Sequence, residues 1–335
     1  MLQHLVAARS RDGLSDGETS EDGTIEKSGE NPVPNLVLAI EEPELYQHPS
    51  RQRHLSAILL DLASGTIAGV SENTQVIYTT HSPLFVGLDR FQQIRVLRKT
   101  TIDGGAAKAT KLRKADMNAV AAELWKATGA SSAKFTAATL RARLHALMTP
   151  WMNEGFFADT VVLVEGEDDR AAILGVAGSL GYDFDSLGIT VVPCFGKTNL
   201  DRPLLIFRQL GIPVYVVWDG DRSNRDAKPE ANRLLLRLVD MPEQDWPDFV
   251  GAHSACFASN LEKTLENELG PDLFTKLLTE TREALGIPKK SHALKNAVAI
   301  RRIIDGAAAE GKVSESLQSI VENIVSLNTP QALTC

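Results

Sequence analysis

Apolar and polar positions along the chain form two blocks, each with the alternation of short apolar runs and helical periods that is typical of α/β proteins. In the first block an apolar run at Leu36–Ile40 precedes a helical period at 51–63, and strand-like segments follow at 75–83 and 94–99. The second block opens with a fully apolar run at Thr160–Val164. Short apolar runs that alternate with helical periods predict strands packed against helices, so the expected fold class is α/β.

The second block has the more regular pattern. After TVVLV at 160–164 come a helical segment, the strand-like ITVVPCF at 189–195, a helix near 199–210 and the strand-like PVYVVWDGD at 213–221. Strands that are linked by helices predict a parallel sheet. Open α/β sheets build their sites beyond the carboxyl ends of the strands, so the residues that follow each apolar run are the first candidates for function.

The remaining segments predict helices and one flexible stretch. Residues 101–155 are polar and Ala-rich with a helical period and no strand pattern, and 256–335 is mostly helical in period. Residues 1–9 have the pattern of the end of an apolar helix, and 10–34 are too rich in Gly, Ser, Asp and Glu to order themselves. We therefore expect residue 1 to be an internal start or a truncation rather than a natural domain edge.

Composition narrows the class of protein. The chain has 335 residues, and its 35 Lys and Arg against 43 Asp and Glu give a net charge of −8, which excludes binding to nucleic acid or lipid through overall charge. Cys194, Cys256 and Cys335 are far apart and form no CxxC pair, which argues against a disulfide framework or a zinc ribbon. The chain has no uncharged apolar run of about 18 residues and no signal-peptide pattern, so we expect a cytoplasmic protein without a membrane partner.

Acidic residues follow two of the apolar strands and form the sharpest chemical signal. Glu165 follows VVLV, Asp169 falls four residues later in the first helical turn, and Asp219 and Asp221 follow VYVVW with one glycine between them. In an extended segment Asp219 and Asp221 would face the same side, and four carboxylates at adjacent strand ends would repel unless cations neutralise them. Oxygen ligands favour Mg²⁺ or Mn²⁺. The alternative is that these residues complement a helix N-terminus and a turn.

A second motif lies in the first block. The segment NLVLAIEEPELYQHP at 35–49 resembles a Walker B strand that leads into a D-loop, and TTHSP at 79–83 resembles the switch-histidine loop of ABC-type ATPases. In such a site Glu41 would bind the Mg²⁺ of ATP, Glu42 would polarise the attacking water and His81 would contact the γ-phosphate. The chain contains no G-x-x-x-x-G-K-[ST] phosphate loop, so independent ATPase activity is not expected and the ATP site would be vestigial.

The pair Glu165-Gly166 and the later Asp219-Gly220-Asp221 resemble the metal-binding pattern of the Toprim domain of topoisomerases, primases and nucleases. An ABC-type ATPase lobe followed by a helical connector and a Toprim domain is similar to the layout of the overcoming-lysogenization-defect (OLD) nucleases. The resemblance implies four parts, namely a partial ABC-type ATPase lobe at 1–100, a helical connector at 101–155, a Toprim core with a parallel sheet at 156–255, and a helical part at 256–335 that completes the nuclease region.

The OLD resemblance also implies a metal site. Two Mg²⁺ or Mn²⁺ ions per Toprim site are expected, and ATP is expected only if the missing N-terminal lobe is supplied. The implied metal ligands are Glu165, Asp169, Asp219, Asp221 and, in SNLEKTLE, Glu262.

Basic residues complete the implied site. A lysine near the scissile phosphate is implied at Lys295, with Lys289 and Lys290 as alternatives. The segment FGKTNL at 195–200 resembles the small-residue loop after the second Toprim strand, which would bring Lys197 near the metal ligands.

Together these features predict a divalent-metal-dependent DNA endonuclease that nicks or cleaves DNA by two-metal phosphodiester hydrolysis. Its catalytic residues would be Glu165, Asp219, Asp221 and Lys295. The expected partners are DNA, a second copy of the chain and a protein that supplies the missing ATPase half. The basic stretch 95–114 and, closer to the carboxylates, the cations Arg222, Arg225 and Lys228 are candidates for contact with DNA.

Other functions stay open. A non-catalytic DNA-binding or regulatory fragment of an ATP-dependent repair or defence protein would keep the fold without activity. Topoisomerases and primases share the carboxylate pattern. All four tyrosines lie in or beside the α/β blocks, which disfavours a topoisomerase, and the chain lacks the cysteine cluster of a primase zinc module. The missing phosphate loop disfavours a working repair-type ATPase.

Overall fold

A computed structural model gives the architecture in two compact units, Met1–Phe85 and Val86–Cys335. The boundary between the two units follows Phe85 and so falls inside the ATPase lobe predicted at 1–100. The predicted helix end at 1–9 and the predicted flexible stretch at 10–34 lie outside the described residues. The structure describes residues 36–67, 74–101, 108–129, 136–224, 227 and 229–328.

The first unit is a small α/β arrangement. Strands β1 (Leu36–Glu41) and β2 (Thr74–Thr79) pair in parallel, and helix α1 (Pro49–Ser64) connects them. Its core consists of the buried Leu59, Leu62 and Phe85. Every second strand residue packs on this core, because side chains alternate between the faces of a strand. The strand, helix and strand predicted here are confirmed.

A five-stranded sheet forms the centre of the second unit. Its strands are β5 (Thr160–Val164), β6 (Ile189–Pro193), β7 (Val214–Asp219), β8 (Phe249–Val250) and β9 (Ser254–Phe257). Their order is β6-β5-β7-β9-β8, and all neighbours are parallel except β8 and β9. The predicted α/β class and the parallel sheet are confirmed. Strand β9 and its partner β8 were not predicted.

Helices cover both faces of this sheet, so its strands are apolar on both sides. Val161, Leu163, Val216 and Trp218 enter one core. The helices of that core are α2 (Met117–Ala127), α3 (Ala137–His145), α4 (Pro150–Glu154), α6 (Asp201–Gln209) and α7 (Glu230–Leu238). The predicted connector therefore shares one hydrophobic core with the sheet.

The opposite face packs on the helix after β5 and on the C-terminal helices. Val162, Val164, Tyr215 and Val217 enter this second core. Its helices are α5 (Glu167–Ser179), α8 (Leu261–Leu269), α9 (Pro271–Leu285), α10 (Lys290–Leu294), α11 (Ala297–Ala309) and α12 (Glu315–Asn328). The prediction of a mostly helical C-terminal part is confirmed from α8 onwards.

The strand predicted at 94–99 is confirmed, but the connector departs from the prediction at its start, where a second strand forms instead of a helix. Strand β3 (Val96–Thr101) pairs antiparallel with β4 (Lys108–Arg113). Leu97 and Leu112 are opposite each other and are 61% and 56% exposed. Because β4 carries its single large apolar residue on the exposed face, its sequence lacks the apolar alternation that identifies a half-buried strand.

None of the helices in the described part of the chain is both long and apolar enough to cross a membrane.

Candidate metal centre

The centre is built where strands β5 and β7 end side by side. Glu165 directly follows β5, and Asp219 is the last residue of β7. Because the two strands are parallel neighbours, their carboxyl ends lie at the same edge of the sheet. The Asp219 backbone N–H donates a hydrogen bond of 2.9 Å to Oε1 of Glu165. The structure thus brings together these two predicted site residues, which are more than fifty positions apart in sequence.

Asp169 joins this pair from the first turn of helix α5, where the sequence predicted it. Its Oδ2 accepts a hydrogen bond of 2.9 Å from the Gly166 N–H, and the residue is 3% exposed. Burial raises the pKa of Asp169, and the negative charges of Asp168 and Glu165 raise it further. Asp169 therefore caps the helix, as the alternative interpretation held, and at the same time lies within the electrostatic reach of Glu165.

The other two carboxyl groups of this cluster also favour their protonated forms. Burial raises the pKa of Glu165 to about 7, against the hydrogen bond from Asp219 and the charge of Lys197, which lower it. Burial raises the pKa of Asp219 as well, followed by the charges of Asp169, Glu165 and Asp221. The carboxyl groups of Glu165, Asp169 and Asp219 thus share a region with an excess of negative potential.

Asp219 also connects the sheet to the C-terminal helices. Its Oδ1 accepts a hydrogen bond of 3.1 Å from the N–H of Leu261, the first residue of α8. The next residue is the predicted ligand Glu262, whose Oε1 lies 2.6 Å from Nζ of Lys290. The start of α8 therefore carries Glu262 and, through it, Lys290 towards the edge of the sheet where Asp219 lies.

Of the three lysines considered for the phosphate, Lys290 forms an ion pair with the predicted ligand Glu262. Lys295, the one favoured from sequence, is exposed at the end of α10. Among the described residues no hydrogen bond or ion pair joins Lys295 to the carboxylates. The difference arises because α10 begins at Lys290 and turns its first residue towards α8, which the sequence pattern of a five-residue helix does not reveal.

Asp221 has a different backbone from the one predicted. Its φ of 63° lies in the left-handed region, so the segment Asp219–Asp221 is not extended. The turn follows from Gly220, where a Cβ would lie 2.7 Å from the Ala258 carbonyl oxygen, so that only glycine fits. The Asp221 N–H donates to the Ser259 carbonyl at 2.9 Å. The orientation of the Asp221 side chain therefore depends on the loop after β9. The strand alternation that would have placed Asp221 on the same face as Asp219 does not apply here.

Lys197 contacts Asp221 inside the centre. Its Nζ lies 2.7 Å from Oδ2 of Asp221, and its side chain is 8% exposed. Sequence analysis predicted Lys197 to lie nearby but did not include it among the functional residues. Burial of its ammonium group could not be read from a loop sequence rich in small and polar residues.

The donor atoms of the centre fit a hard divalent cation in their chemistry. All four side chains supply carboxylate oxygens, which Mg²⁺ and Mn²⁺ prefer, and their mutual repulsion favours a bound cation. Among the residues that the structure describes, however, no three His, Cys, Asp or Glu side chains surround a common point as metal ligands do. Glu165, Asp169 and Asp219 each direct one oxygen to a backbone amide, and Asp221 directs one to Lys197. Metal coordination requires these groups to use their second oxygen or to turn.

The first unit brings part of the predicted ATP site together. His81 Nε2 lies 3.6 Å from Oε1 of Glu42, and Glu41 is the last residue of β1. Glu44 was missed from sequence, although it lies in the same EEPEL segment. Its Oε1 accepts a hydrogen bond of 2.7 Å from the His81 N–H, and its Oε2 accepts one from Thr80 Oγ1 at 2.9 Å. Glu44 thus fixes the loop that carries His81.

Two family models match parts of the chain. The family model described as overcoming lysogenization defect protein-like, TOPRIM domain, matches residues 156–221. A model of the AAA ATPase domain matches residues 19–86. The chain therefore carries an OLD-like Toprim domain, preceded by a segment of an AAA ATPase domain, as the sequence motifs predicted.

Several individual proteins are similar to parts of the chain. The OLD nuclease of Thermus scotoductus is 32% identical over 185 residues, which are 55% of this chain and 31% of that protein. The tRNA(Ile)-lysidine synthase of Enterobacter sp. is 26% identical over 147 residues, 41% of this chain and 34% of that protein. The solved C-terminal region of the Burkholderia pseudomallei OLD protein is 25% identical and covers 52% of this chain and 100% of that chain, with a TM-score of 0.35. The chain spans about a third of the length of these curated relatives.

Proposed function

We propose that this chain is a divalent-metal-dependent endodeoxyribonuclease whose OLD-like Toprim domain hydrolyses DNA phosphodiester bonds. Its Toprim domain and its similarity to an OLD nuclease support a nuclease-type function. The observation that carries the finer proposal is the cluster of Glu165, Asp169 and Asp219 at the carboxyl ends of β5 and β7, where repulsion between ionised carboxylates calls for a cation.

In this proposal Glu165, Asp169 and Asp219 hold one cation, and Asp221 and Glu262 contribute to a second. Bound Mg²⁺ or Mn²⁺ would supply activation of the attacking water and compensation of the charge on the leaving oxygen. The backbone amides of Gly166, Asp219 and Leu261 orient the carboxylates, so that less reorganisation is needed when DNA arrives. Lys290 would contribute positive charge near the phosphate.

Positively charged groups near the centre support DNA as the substrate. Arg222 directly follows Asp221 and is exposed. Arg225 and Lys228, the other cations predicted here, lie outside the described residues. Further exposed cations, Arg95, Lys99, Lys108 and Lys114, lie on or beside the β3–β4 hairpin. Arg98 of this hairpin pairs with Asp159 just before β5, so the hairpin contacts the edge of the sheet opposite the centre. Such local cations can bind the DNA backbone although the chain carries a net charge of −8.

The test is cleavage of supercoiled plasmid by the full chain in Mg²⁺ or Mn²⁺, with EDTA as the metal-free control. Asp219→Asn and Glu165→Gln keep an oxygen that can accept the Leu261 and Asp219 N–H groups, so both variants should fold. We expect cleavage to fall at least about 100-fold, because removing several kcal/mol of charge stabilisation costs a factor of ten for each ~1.4 kcal/mol. Asp185→Asn, on an exposed turn, is the matched control and should cleave normally.

Cleavage that survives in both variants or in EDTA would contradict the proposal. Binding of DNA without cleavage in any divalent metal would favour the alternative of a non-catalytic DNA-binding fragment. Relaxation of the plasmid without a persistent nick would favour a topoisomerase-like reaction. Comparison of Lys290→Ala with Lys295→Ala decides between the two lysines, and we expect the Lys290 variant to be the more impaired.

A further inference from the structure

We propose that Lys197 is the internal counter-cation of the centre and acts through Asp221. In the absence of metal its ammonium group neutralises the Asp221 carboxylate, and it competes with a divalent cation for the same oxygens. The two metal positions are therefore unequal in affinity, and the one that uses Asp221 is the weaker. This inference rests on the proposed function in so far as it takes the carboxylates to be metal ligands.

The contact itself is the first observation. Lysine is rarely buried without a partner, because an unpaired ammonium in the protein interior is costly. The Lys197 side chain is 8% exposed and its Nζ lies 2.7 Å from Oδ2 of Asp221, which is 37% exposed. The charge of Lys197 also acts on Glu165, whose protonation it opposes. Lys197 therefore compensates the cluster from within.

The backbone on both sides fixes this pair. Lys197 follows Phe195 and Gly196, whose φ angles of 58° and 127° are both positive. The Gly196 N–H donates to the Glu165 carbonyl at 3.0 Å, and Asn199 Nδ2 donates to the Cys194 carbonyl at 3.0 Å. The loop of Lys197 is thus fastened to the end of β5. The pair belongs to the built structure of the centre and is not a surface contact of two flexible side chains.

The four carboxylates differ in what a cation must displace. Glu165, Asp169 and Asp219 accept hydrogen bonds from uncharged backbone amides. Asp221 is paired with a full positive charge. A divalent cation at Asp221 must move the ammonium group or tolerate its repulsion. This electrostatic cost is largest at the metal position that uses Asp221, which Lys197 contacts directly, and smaller at the position of Glu165.

The first experiment measures Mn²⁺ binding to the metal-free full chain by the electron paramagnetic resonance signal of free Mn²⁺. We expect two binding classes in the wild type. Lys197→Met should tighten the weaker class by about tenfold, the lower end of the effects of residues that contact metal ligands. In an Asp221→Asn background, Lys197→Met should have no further effect on binding. Lys276→Met removes an exposed lysine that pairs with Glu310 and is the matched control.

An unchanged or weakened second class in Lys197→Met would overturn the inference. If Mn²⁺ binding instead proves indifferent to Asp219→Asn, the carboxylates are not the metal ligands and the proposed function itself fails. The two failures are therefore distinguishable. The binding isotherm also separates competition from a merely structural role, which would weaken both classes together.

A second measurement uses the wild-type chain and does not depend on the folding of a variant. Mass spectrometry after brief treatment with an amine-acylating reagent reports how accessible Nζ of Lys197 is. We expect slow labelling without metal and faster labelling at the Mn²⁺ concentrations that fill the weaker class. Labelling of Lys197 that does not respond to Mn²⁺ would overturn the inference, and Lys276 serves again as the internal reference.

Discussion

At the scale of single residues, three carboxyl groups of the centre are costly to ionise in the folded chain. Glu165, Asp169 and Asp219 have raised pKa values, mainly because burial disfavours their ionised forms. For a carboxyl whose folded-state pKa is raised, the folded chain binds more protons than the unfolded chain between the two pKa values. The cost of burying the charge is fully present above the folded pKa. This cost disappears as the pH falls through the folded-state pKa towards the ordinary pKa, which is 4.5 for Glu165.

We predict that the metal-free chain becomes more stable as pH is lowered from about 8 to about 5.5. Urea unfolding followed by circular dichroism measures this free energy of unfolding at each pH. Asp219→Asn removes a carboxyl that must take up a proton on folding at pH 8, because its pKa is raised to about 9. The variant should therefore be more stable at pH 8 by about 2 kcal/mol and have a flatter pH dependence, since one pKa unit corresponds to ~1.4 kcal/mol. A saturating concentration of Mg²⁺ should have its largest stabilising effect at the high end of this range.

Asp185→Asn serves as the reference, because Asp185 is exposed outside the centre. It should reproduce the wild-type slope. Stability that falls as the pH is lowered over this range, or an Asp219→Asn slope equal to that of the wild type, would show that the cluster does not carry the cost described.

At the scale of elements, helix α5 packs closely against α11 because Gly175 of α5 has no side chain. A Cβ at Gly175 would lie 2.7 Å from Ile300 Cγ2 and 2.8 Å from the Ala297 carbonyl oxygen. The backbone oxygen cannot move aside as a flexible side chain can. Gly178, one turn further along α5, faces the Arg301 side chain with its nearest atom at 3.4 Å. Because α5 carries Asp169, this close packing also sets the position of one edge of the centre.

The two glycines make a matched pair of variants. Gly175→Ala should destabilise the chain by about 1–3 kcal/mol, the usual cost of overpacking a core, although alanine is the better helix former. Gly178→Ala should be neutral or stabilise by up to about 1 kcal/mol. Chemical unfolding of both variants in the presence of EDTA isolates packing from metal binding. Equal effects of the two substitutions would mean that α5 and α11 do not approach as closely as described.

The elements also show what the sequence could predict. Strands β5 and β7 were evident because each is an unbroken apolar run, as a strand buried on both faces requires. Strand β9 was missed because SACF, at Ser254–Phe257, has only one large apolar residue, and pairing with β7 and β8 supplies the rest of its burial. Strand β4 was missed because cations and an exposed leucine hide its alternation. Pairing with neighbouring strands, rather than their own apolar pattern, decides these two elements.

At the scale of the whole molecule, tertiary contacts also limit how much of the centre could be predicted from the sequence. The proximity of Glu165 and Asp219 followed from parallel topology, which places the ends of neighbouring strands together. The left-handed turn at Asp221 and its pairing with Lys197 depend on the loops after β6 and β9. Those loops are positioned by tertiary contacts that no local pattern encodes. The sequence therefore predicted which carboxylates lie at the strand ends, whereas the loop contacts determine how these carboxylates differ.

The cores of the two units are composed of separate sets of residues. The core of the first unit involves described residues from Leu38 to Phe85. The two cores of the second unit begin at Val86 and continue to the C-terminal helices. One of them contains α2, α3 and α4; α2 packs on α6 and α7, and α4 packs on β6, so the connector covers part of the face opposite α5. A fragment that begins at residue 156 would therefore lose part of this cover, whereas one that begins at residue 86 would keep it.

We predict that residues 86–335 fold alone, unfold in one cooperative transition and cleave plasmid in Mg²⁺ or Mn²⁺ without a response to ATP. A fragment of residues 156–335 should instead aggregate or melt without cooperativity, since it exposes the apolar sides of α6 and α7 that pack on α2. Scanning calorimetry and the plasmid assay measure both properties. Equal stability of the two fragments would mean that the connector is not part of the core. Cleavage by the full chain but not by 86–335 would assign the first unit an essential part in catalysis.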